Sequence, residues 1–503
     1  MPPSSLTPPT SPQTTSRPAG RWLTYVSYLV LGLGLLLRVV VWAQQRSIVL
    51  DEANLLHNYA DKTYGQLFQP LDYEQYAPPL FSVIVKFCIQ TLGNNELAAR
   101  LFPLLCSMAT VVLFRRLCLR WLPGPFACLA LGFVAFGQIF IDYATECKQY
   151  ATDGFVVLGL LEVAHWALRR PLTNRLALGM AGLGMVAVWL SMPAIFALAG
   201  IGLWWLVQRL RQHDTPAVLR IAGIGACWVG SFLLYFFLLL NTSAKLSNLQ
   251  TFHQDYFLAF PPRSGAQLRL LGSQLSLMAD RAIGKTVLAL ILAAVGFGVG
   301  VWQFLKARGE GVWFFLFPIG ACLAASALHY YSLVPRLTLF FLPLVVLVVF
   351  KGIAALATGR VAFPLLLLLS VLVLLNQQRL PNLVKPFYGD YAEVRDGLRY
   401  IARHQQPADK VYMNYNVAPI AQYYQAYHTP PIPLKSVVLQ PIRNASDETM
   451  HQDIIRLRQQ GASRLWLLYD RADESFSQFA ATQGRIAQRF DFQRGYVLLL
   501  EFR

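Results

Sequence analysis

The feature that most constrains this chain is a succession of apolar runs, each about twenty residues long by the length a bilayer demands, recurring between residues 22 and 377. One such run suits a single helical crossing, because a helix rises about 1.5 Å per residue and the hydrocarbon layer is about 30 Å thick. Charged residues make up 14% of the 503 and hydrophobic ones 55%, whereas soluble domains carry about 25% charged residues. The chain therefore reads as a polytopic α-helical membrane protein. Hydropathy windows place eleven transmembrane helices, at 22–44, 97–118, 122–142, 146–168, 174–190, 192–208, 217–240, 285–305, 312–330, 335–350 and 361–377. The stretch 174–208 is too long for one helix and splits near Ser191 and Pro193 into a tight hairpin. The shorter run 77–92, which carries Lys86, reads as a helix lying at the interface.

A formal net charge of +17 would suggest nucleic acid in a soluble protein. Here much of the excess lies in short segments between apolar runs, where it orients the chain, so no nucleic-acid partner is expected. Arg115, Arg116 and Arg120, then Arg169, Arg170 and Arg175, then Arg209 and Arg211, then Lys306 and Arg308, then Lys351 and Arg360 fall on the side of the N-terminus. That side is assigned to the cytoplasm, with residues 1–20, rich in Pro, Ser and Thr, as a disordered cytoplasmic tail. Residues 21–380 form the transmembrane body, with a long outer loop at 45–96. From about residue 381 to 503 the composition turns ordinary and helix and strand patterns alternate, which indicates a small C-terminal α/β domain. An odd number of spans puts it outside. The seven cysteines fall within or beside apolar segments and suggest no disulfide framework.

This topology singles out one acidic pair. Asp51 and Glu52, in LDEANLLHNYA, follow the first span and lie in the outer loop with Gln75, Tyr76 and the Pro78-Pro79 pair. An Asp-Glu pair is common on solvated surfaces, and only its address sets this one apart. The junction between the third and fourth spans, DYATECKQYATDGF, adds Asp142, Glu146, Lys148, Tyr150 and Asp153. Charges this close to hydrocarbon need partners or a wet cavity and are candidates for function; the plain alternative is a pair of helix ends satisfied by lipid headgroups. Arg336, in HYYSLVPRLTLFFLP, stands at the start of a span among aromatic residues, suited either to snorkelling or to gripping a phosphate. His57 and His253 read as ordinary interface residues before metal ligands.

The order SIVLDEANLLHNYA, LDYEQYAPPLF, GNNELAARLFPLL, TECKQYATDGF and YYSLVPRLTLFFLP resembles GT-C type membrane glycosyltransferases, especially protein O-mannosyltransferases and the lipid A aminoarabinose transferase. One departure is Cys147-Lys148, where many relatives place an Arg beside the Tyr. The resemblance implies transfer of a sugar from a polyprenyl-phosphate carrier to a lipid, glycan or protein acceptor at the outer face of a membrane. A lipid-linked phosphate needs an apolar groove among membrane lipids and cations at the interface, and the chain supplies both. In the implied inverting reaction Asp51 takes the acceptor proton, late in the transfer because a carboxylate near pKa 3.9 is a weak base for an alcohol. Glu52 is either a helper carboxylate or, with Glu146 or Asp142, a ligand to a divalent cofactor, magnesium or manganese. Arg336, Lys148 and Arg100 are the phosphate candidates, and Asp142, Glu146, Tyr150, Tyr76 and Gln75 line the expected substrate cavity. The competing classes are a transporter or flippase of an anionic or lipid-linked substrate, disfavoured by the absence of a two-fold repeat, and an envelope scaffold. Short loops on the basic side favour a bacterial inner membrane with the C-terminal domain in the periplasm.

Overall fold

A computed structural model describes residues 21–241, 253–377, 392–439, 447–471 and 474–502. The N-terminal tail and the expected domain boundary near residue 380 lie outside these. The first part is helical: α1 (Arg21–Ala43), α2 (Leu50–Asp61), α3 (Pro79–Leu92), α4 (Glu96–Trp121), α5 (Gly124–Phe136), α6 (Gln138–Asp142), α7 (Tyr150–Leu168) and α8 (Asn174–Leu190). It continues through α9 (Ala194–Arg211), α10 (Thr215–Tyr235), α11 (Gly265–Ala282), α12 (Val287–Ala307), α13 (Phe317–Ala327), α14 (Leu342–Leu356) and α15 (Ala362–Gln377).

Helices occupy each of the eleven stretches expected to span, and the break between α8 and α9 falls at Ser191–Pro193 as expected. By length and composition, however, five described helices suffice to cross a membrane, or six when the bent pair α5–α6 is taken as one. The difference has local causes. The expected span 122–142 is broken at Gly137, with a 51° bend. In the expected span 335–350, Pro335 opens a 3₁₀ turn over Pro335–Thr338 and the helix proper begins only at Leu342.

The bend in α5–α6 is stabilised from α1. Ending α5 at Phe136 leaves its last carbonyls without helical partners, which is costly away from water. Arg38 of α1, fully buried, donates from Nη1 to Ala135 O at 2.6 Å and from Nη2 to Val134 O at 3.0 Å, and its Nε donates to Ser107 Oγ at 2.8 Å. A buried cation thus satisfies a broken helix. Gly137 allows the break, because a Cβ there would meet Phe133 O at 2.3 Å. Elsewhere α12 and α14 pack backbone to backbone: a Cβ on Gly352 would lie 1.9 Å from Gly296 O, and one on Gly300 would lie 2.0 Å from Val348 O. Small residues at such seams let apolar helices approach closely.

The C-terminal part contains α16 (Val394–His404), β1 (Lys410–Met413), α17 (Ala418–Ala426), β2 (Val437–Leu439), α18 (Asp447–Gln459), β3 (Arg464–Tyr469), α19 (Ser475–Gln483), β4 (Gly484–Phe492) and β5 (Gly495–Phe502). These strands form one sheet in the order β2-β1-β3-β5-β4, with β2, β1 and β3 parallel and β5 and β4 antiparallel. Strand β4 is an addition to the expected pattern. Its sequence GRIAQRFDF lacks a sustained apolar alternation, and half-buried edge strands tolerate that.

One sheet face packs on the N-terminal loop region. Ile48, Leu56 and Phe81 share a core with Leu398, Tyr423 and Tyr424. The other face forms a separate core around Ile454, Leu467 and Phe476. The sheet is therefore docked, through α16 and α17, against the stretch that carries the acidic pair.

Candidate active site

Helix α2 begins one residue before Asp51, so the two acids occupy its first turn, where the helix dipole favours negative charge. Adjacent residues on a helix point about 100° apart, and the two carboxylates accordingly enter different surroundings. Glu52 turns inward and is 0% exposed. Its Oε1 accepts from Arg100 Nε at 2.8 Å and from the Cys147 amide at 2.7 Å. Its Oε2 accepts from Arg100 Nη2 at 2.6 Å, Arg46 Nη1 at 2.9 Å and the Val49 amide at 3.1 Å. Burial opposes ionisation, but the guanidiniums of Arg100 and Arg46 and the hydrogen bonds outweigh it and hold the carboxyl well below the usual range.

Asp51 turns outward. Its side chain is 38% exposed, and its Oδ2 accepts from Arg336 Nη1 at 3.2 Å, with Arg336 28% exposed. The two residues come from segments 285 positions apart. The Arg336 guanidinium carbon lies 6.0 Å from the centre of the Tyr150 ring, which itself meets Tyr143 edge-on at 5.1 Å. Glu146 lies buried nearby. Burial, joined by the negative charges of Glu52 and Asp51 and opposed by Arg46 and Lys148, pushes its carboxyl up to about 7.

The remaining expected residues divide between the two groups. Lys148 Nζ donates to Gln75 Oε1 at 2.7 Å, so these two are brought together, and Lys148 is buried. Tyr76 hydrogen-bonds through its hydroxyl to Tyr235 of α10. Asp142 closes α6 and accepts from Gln138 Nε2 at 3.4 Å; Asp153 is buried in the first turn of α7. Arg100 differs most from expectation. It is 2% exposed and held by Glu52, by Arg46 O at 2.8 Å and by Ser47 O at 3.0 Å, so it faces the protein interior and not an open phosphate site.

A divalent ion on Glu52 and Glu146 does not fit these donors. Both oxygens of Glu52 already accept from guanidinium and amide groups, and a hard cation beside Arg46 and Arg100 meets like charge. Among the described residues no group of three His, Cys, Asp or Glu side chains is arranged to hold a metal. His57 instead bonds Pro419 O at 2.9 Å and His253 bonds Ser332 Oγ at 2.9 Å.

Two contributions escaped the sequence reading. Arg46 completes the Glu52 clamp and donates to Thr145 O at 3.2 Å; its position just before SIVLDE was the available signal. The C-terminal part also buttresses the site. Glu393 Oε2 accepts from the Ser47 amide at 3.0 Å, and the Tyr424 hydroxyl accepts from the Ile48 amide at 2.9 Å. Tyr424 also donates to Glu96 Oε1 at 2.8 Å, beside Arg395 Nη1 at 2.6 Å, and His428 Nε2 lies 2.9 Å from Glu96 Oε2.

No protein-family model and no curated protein matches the chain. Among solved structures it is similar to ArnT, the lipid A aminoarabinose transferase, from Cupriavidus metallidurans in the apo state, with a TM-score of 0.53 at 13% identity over 95% of this chain and 98% of that one. It is also similar to ArnT from the same organism bound to undecaprenyl phosphate, with a TM-score of 0.51 at 15% identity over 96% and 98%. An oligosaccharyltransferase of Archaeoglobus fulgidus, in complex with an inhibitory peptide and a dolichol-phosphate, aligns at 0.49 and 10% identity over 91% of this chain and 71% of that one. By fold, then, this chain is similar to the ArnT structures, in keeping with the residue resemblance, and its apolar helices mark a multi-pass membrane protein.

Proposed function

We propose that the protein is a glycosyltransferase that moves a sugar from a polyprenyl-phosphate carrier to an acceptor hydroxyl, with inversion. The observation that carries this reading is the pairing of Asp51 with Arg336, an acid and a cation that share an open position while their neighbours are buried and saturated. The ArnT fold, in one case holding undecaprenyl phosphate, supports the donor class.

In this reading the donor phosphate draws the Arg336 guanidinium, which grips anionic oxygens bidentately. Asp51 is thereby released toward the acceptor. The acceptor oxygen attacks the anomeric carbon, the bond from that carbon to the phosphate oxygen breaks, and its electron pair leaves on the polyprenyl phosphate. The acceptor proton passes to the Asp51 carboxylate. The phosphate departs as a stable anion, so cationic stabilisation by Arg336, with Lys148 behind it, matters more than protonation. Glu52, Arg100 and Arg46 act as positioning residues that fix the start of α2. Asp142, Glu146, Gln75, Tyr76 and Tyr150 line the substrate space.

Residues 21–380 would form the membrane body and residues 381–503 a domain on the outer side, periplasmic in a bacterial inner membrane, as the distribution of Lys and Arg favours. Acceptors of lipid, glycan or protein nature all suit the reaction.

The test is Asp51→Asn in membranes, assayed for transfer from a radiolabelled polyprenyl-phosphate sugar. Loss of roughly 10²- to 10⁴-fold in turnover is expected of a missing general base; undiminished turnover in folded protein would sink the assignment. Arg336→Ala should weaken donor binding by roughly ten- to a hundredfold, as for a lost charged hydrogen bond. Release of free polyprenyl phosphate by the unaltered protein separates a transferase from a transporter.

A further inference from the structure

Away from Asp51, a cleft of about 840 Å³ opens between α4, α7 and α8. Its walls change character along their length. At one end stand Arg116, Arg120, Arg169 and Arg170, with Glu162 as the acidic counterweight, so three positive charges remain in excess. Glu162 holds Arg120 by two bonds, at 3.0 and 3.1 Å, and lies 3.7 Å from Arg116. The Arg170 guanidinium lies over the Trp166 ring at 4.1 Å, an aromatic and cationic pairing suited to a membrane interface.

From this basic end the cleft continues along α7 and α8 past Val163, Gly159 and Phe155 on one side and Val186 and Leu190 on the other. From Leu168, where α7 ends beside Arg169 and Arg170, to Phe155 is about 20 Å at the helical rise. The floor is at backbone level at Gly159, where a Cβ would meet only Leu113 Cδ1 at 4.0 Å. One polar atom on the wall is also unused. His165 is 7% exposed, its Nδ1 bonds Glu310 Oε1 at 2.9 Å, and its Nε2 makes no hydrogen bond within the protein.

We propose that this cleft seats an anionic phospholipid, its headgroup phosphate among Arg120, Arg169 and Arg170 and one acyl chain along Gly159 and Val186. A free phosphate would satisfy the arginines but leave an apolar channel of this length unexplained, whereas a zwitterionic lipid would fill the channel without answering the charge excess. Basic pockets between helices on the cytoplasmic side recognise anionic headgroups in this way. A lipid seated here would not touch Asp51, whatever the chemistry there.

The experiment uses the purified full-length protein in detergent, offered phosphatidylglycerol and phosphatidylcholine of identical chains, with retained lipid read by native mass spectrometry. Preferential retention of phosphatidylglycerol is expected. In Arg169→Gln/Arg170→Gln that preference should fall about twenty-five-fold, each interfacial cation being worth about fivefold. Gly159→Phe should expel the lipid while every arginine remains, and Val186→Trp blocks the same channel from the opposite wall should the first variant misfold. Unchanged preference in the double arginine variant, retention of phosphatidylglycerol in both channel variants, or its displacement by millimolar inorganic phosphate would each overturn the proposal.

Discussion

Asp51 and Glu52 are neighbours at one helix start, yet they belong to regions governed by different physics. Around Glu52 water is excluded, two guanidiniums and two amides converge, and every oxygen is occupied. Around Asp51 an ion pair at 3.2 Å joins two partly exposed side chains. The first arrangement resists change, and the second can exchange partners at small cost. Under the proposed function, a site that admits a phosphate is served by the second kind of pair, with the first kind next to it so that the exchange does not disturb the backbone.

The comparison is broken most directly at Glu52. Glu52→Gln leaves two buried arginines uncompensated and should lower stability by about 3–5 kcal/mol in unfolding measurements on detergent-solubilised protein. A loss below about 1 kcal/mol, the range of exposed pairs, would remove the distinction. Tyr424→Phe takes a hydrogen-bond partner from both the Ile48 amide and Glu96. It should cost about 1–3 kcal/mol for the buried groups left unsatisfied, seen as earlier proteolysis between the sheet and the loop.

Glu146 sharpens the contrast through pH. Its folded form keeps a proton up to about 7, whereas the unfolded chain releases it near the ordinary carboxyl value of about 4.3. Between those values the folded state binds more protons, so the Glu146 contribution falls as pH rises. Glu146→Gln should therefore be the more stable protein above neutrality and equal to the parent near pH 4. Glu52 has the opposite sign: its contribution is full above the ordinary carboxyl value and is lost as pH falls below it. The smallest expected effect is on Asp51→Asn, whose stability should lie within about 1 kcal/mol of the parent.

Much of this arrangement was legible in residues. The landmark segments containing Asp51, Lys148 and Arg336 indicated one end of the helices, and Asp51 meets Arg336 there. Lys148 and Gln75, named separately, meet as well. Arg100 was misread because sequence shows that a cation begins a helix but not which way it faces, and at this position it faces Glu52. Arg46 was overlooked because an arginine after a span ordinarily marks topology. The span count suffered from the same limit: composition finds apolar stretches, whereas a Gly137 break or a Pro335 turn shortens the helices within them. Strand β4 was hidden by its polar edge character.

The contacts of Glu393, Arg395 and Tyr424 with Ser47 and Ile48 carry a consequence for the order of events in making this protein. The backbone that sets the direction of Asp51 is emitted early by the ribosome, yet its partners arrive about 350 residues later, as the spacing of 346 between Ser47 and Glu393 records. A chain interrupted before Glu393 can insert its helices but lacks the contacts that brace its acidic helix. Under the proposed transfer, a half-made copy resting in the membrane would lack the braced acidic helix on which the reaction with a carrier lipid depends.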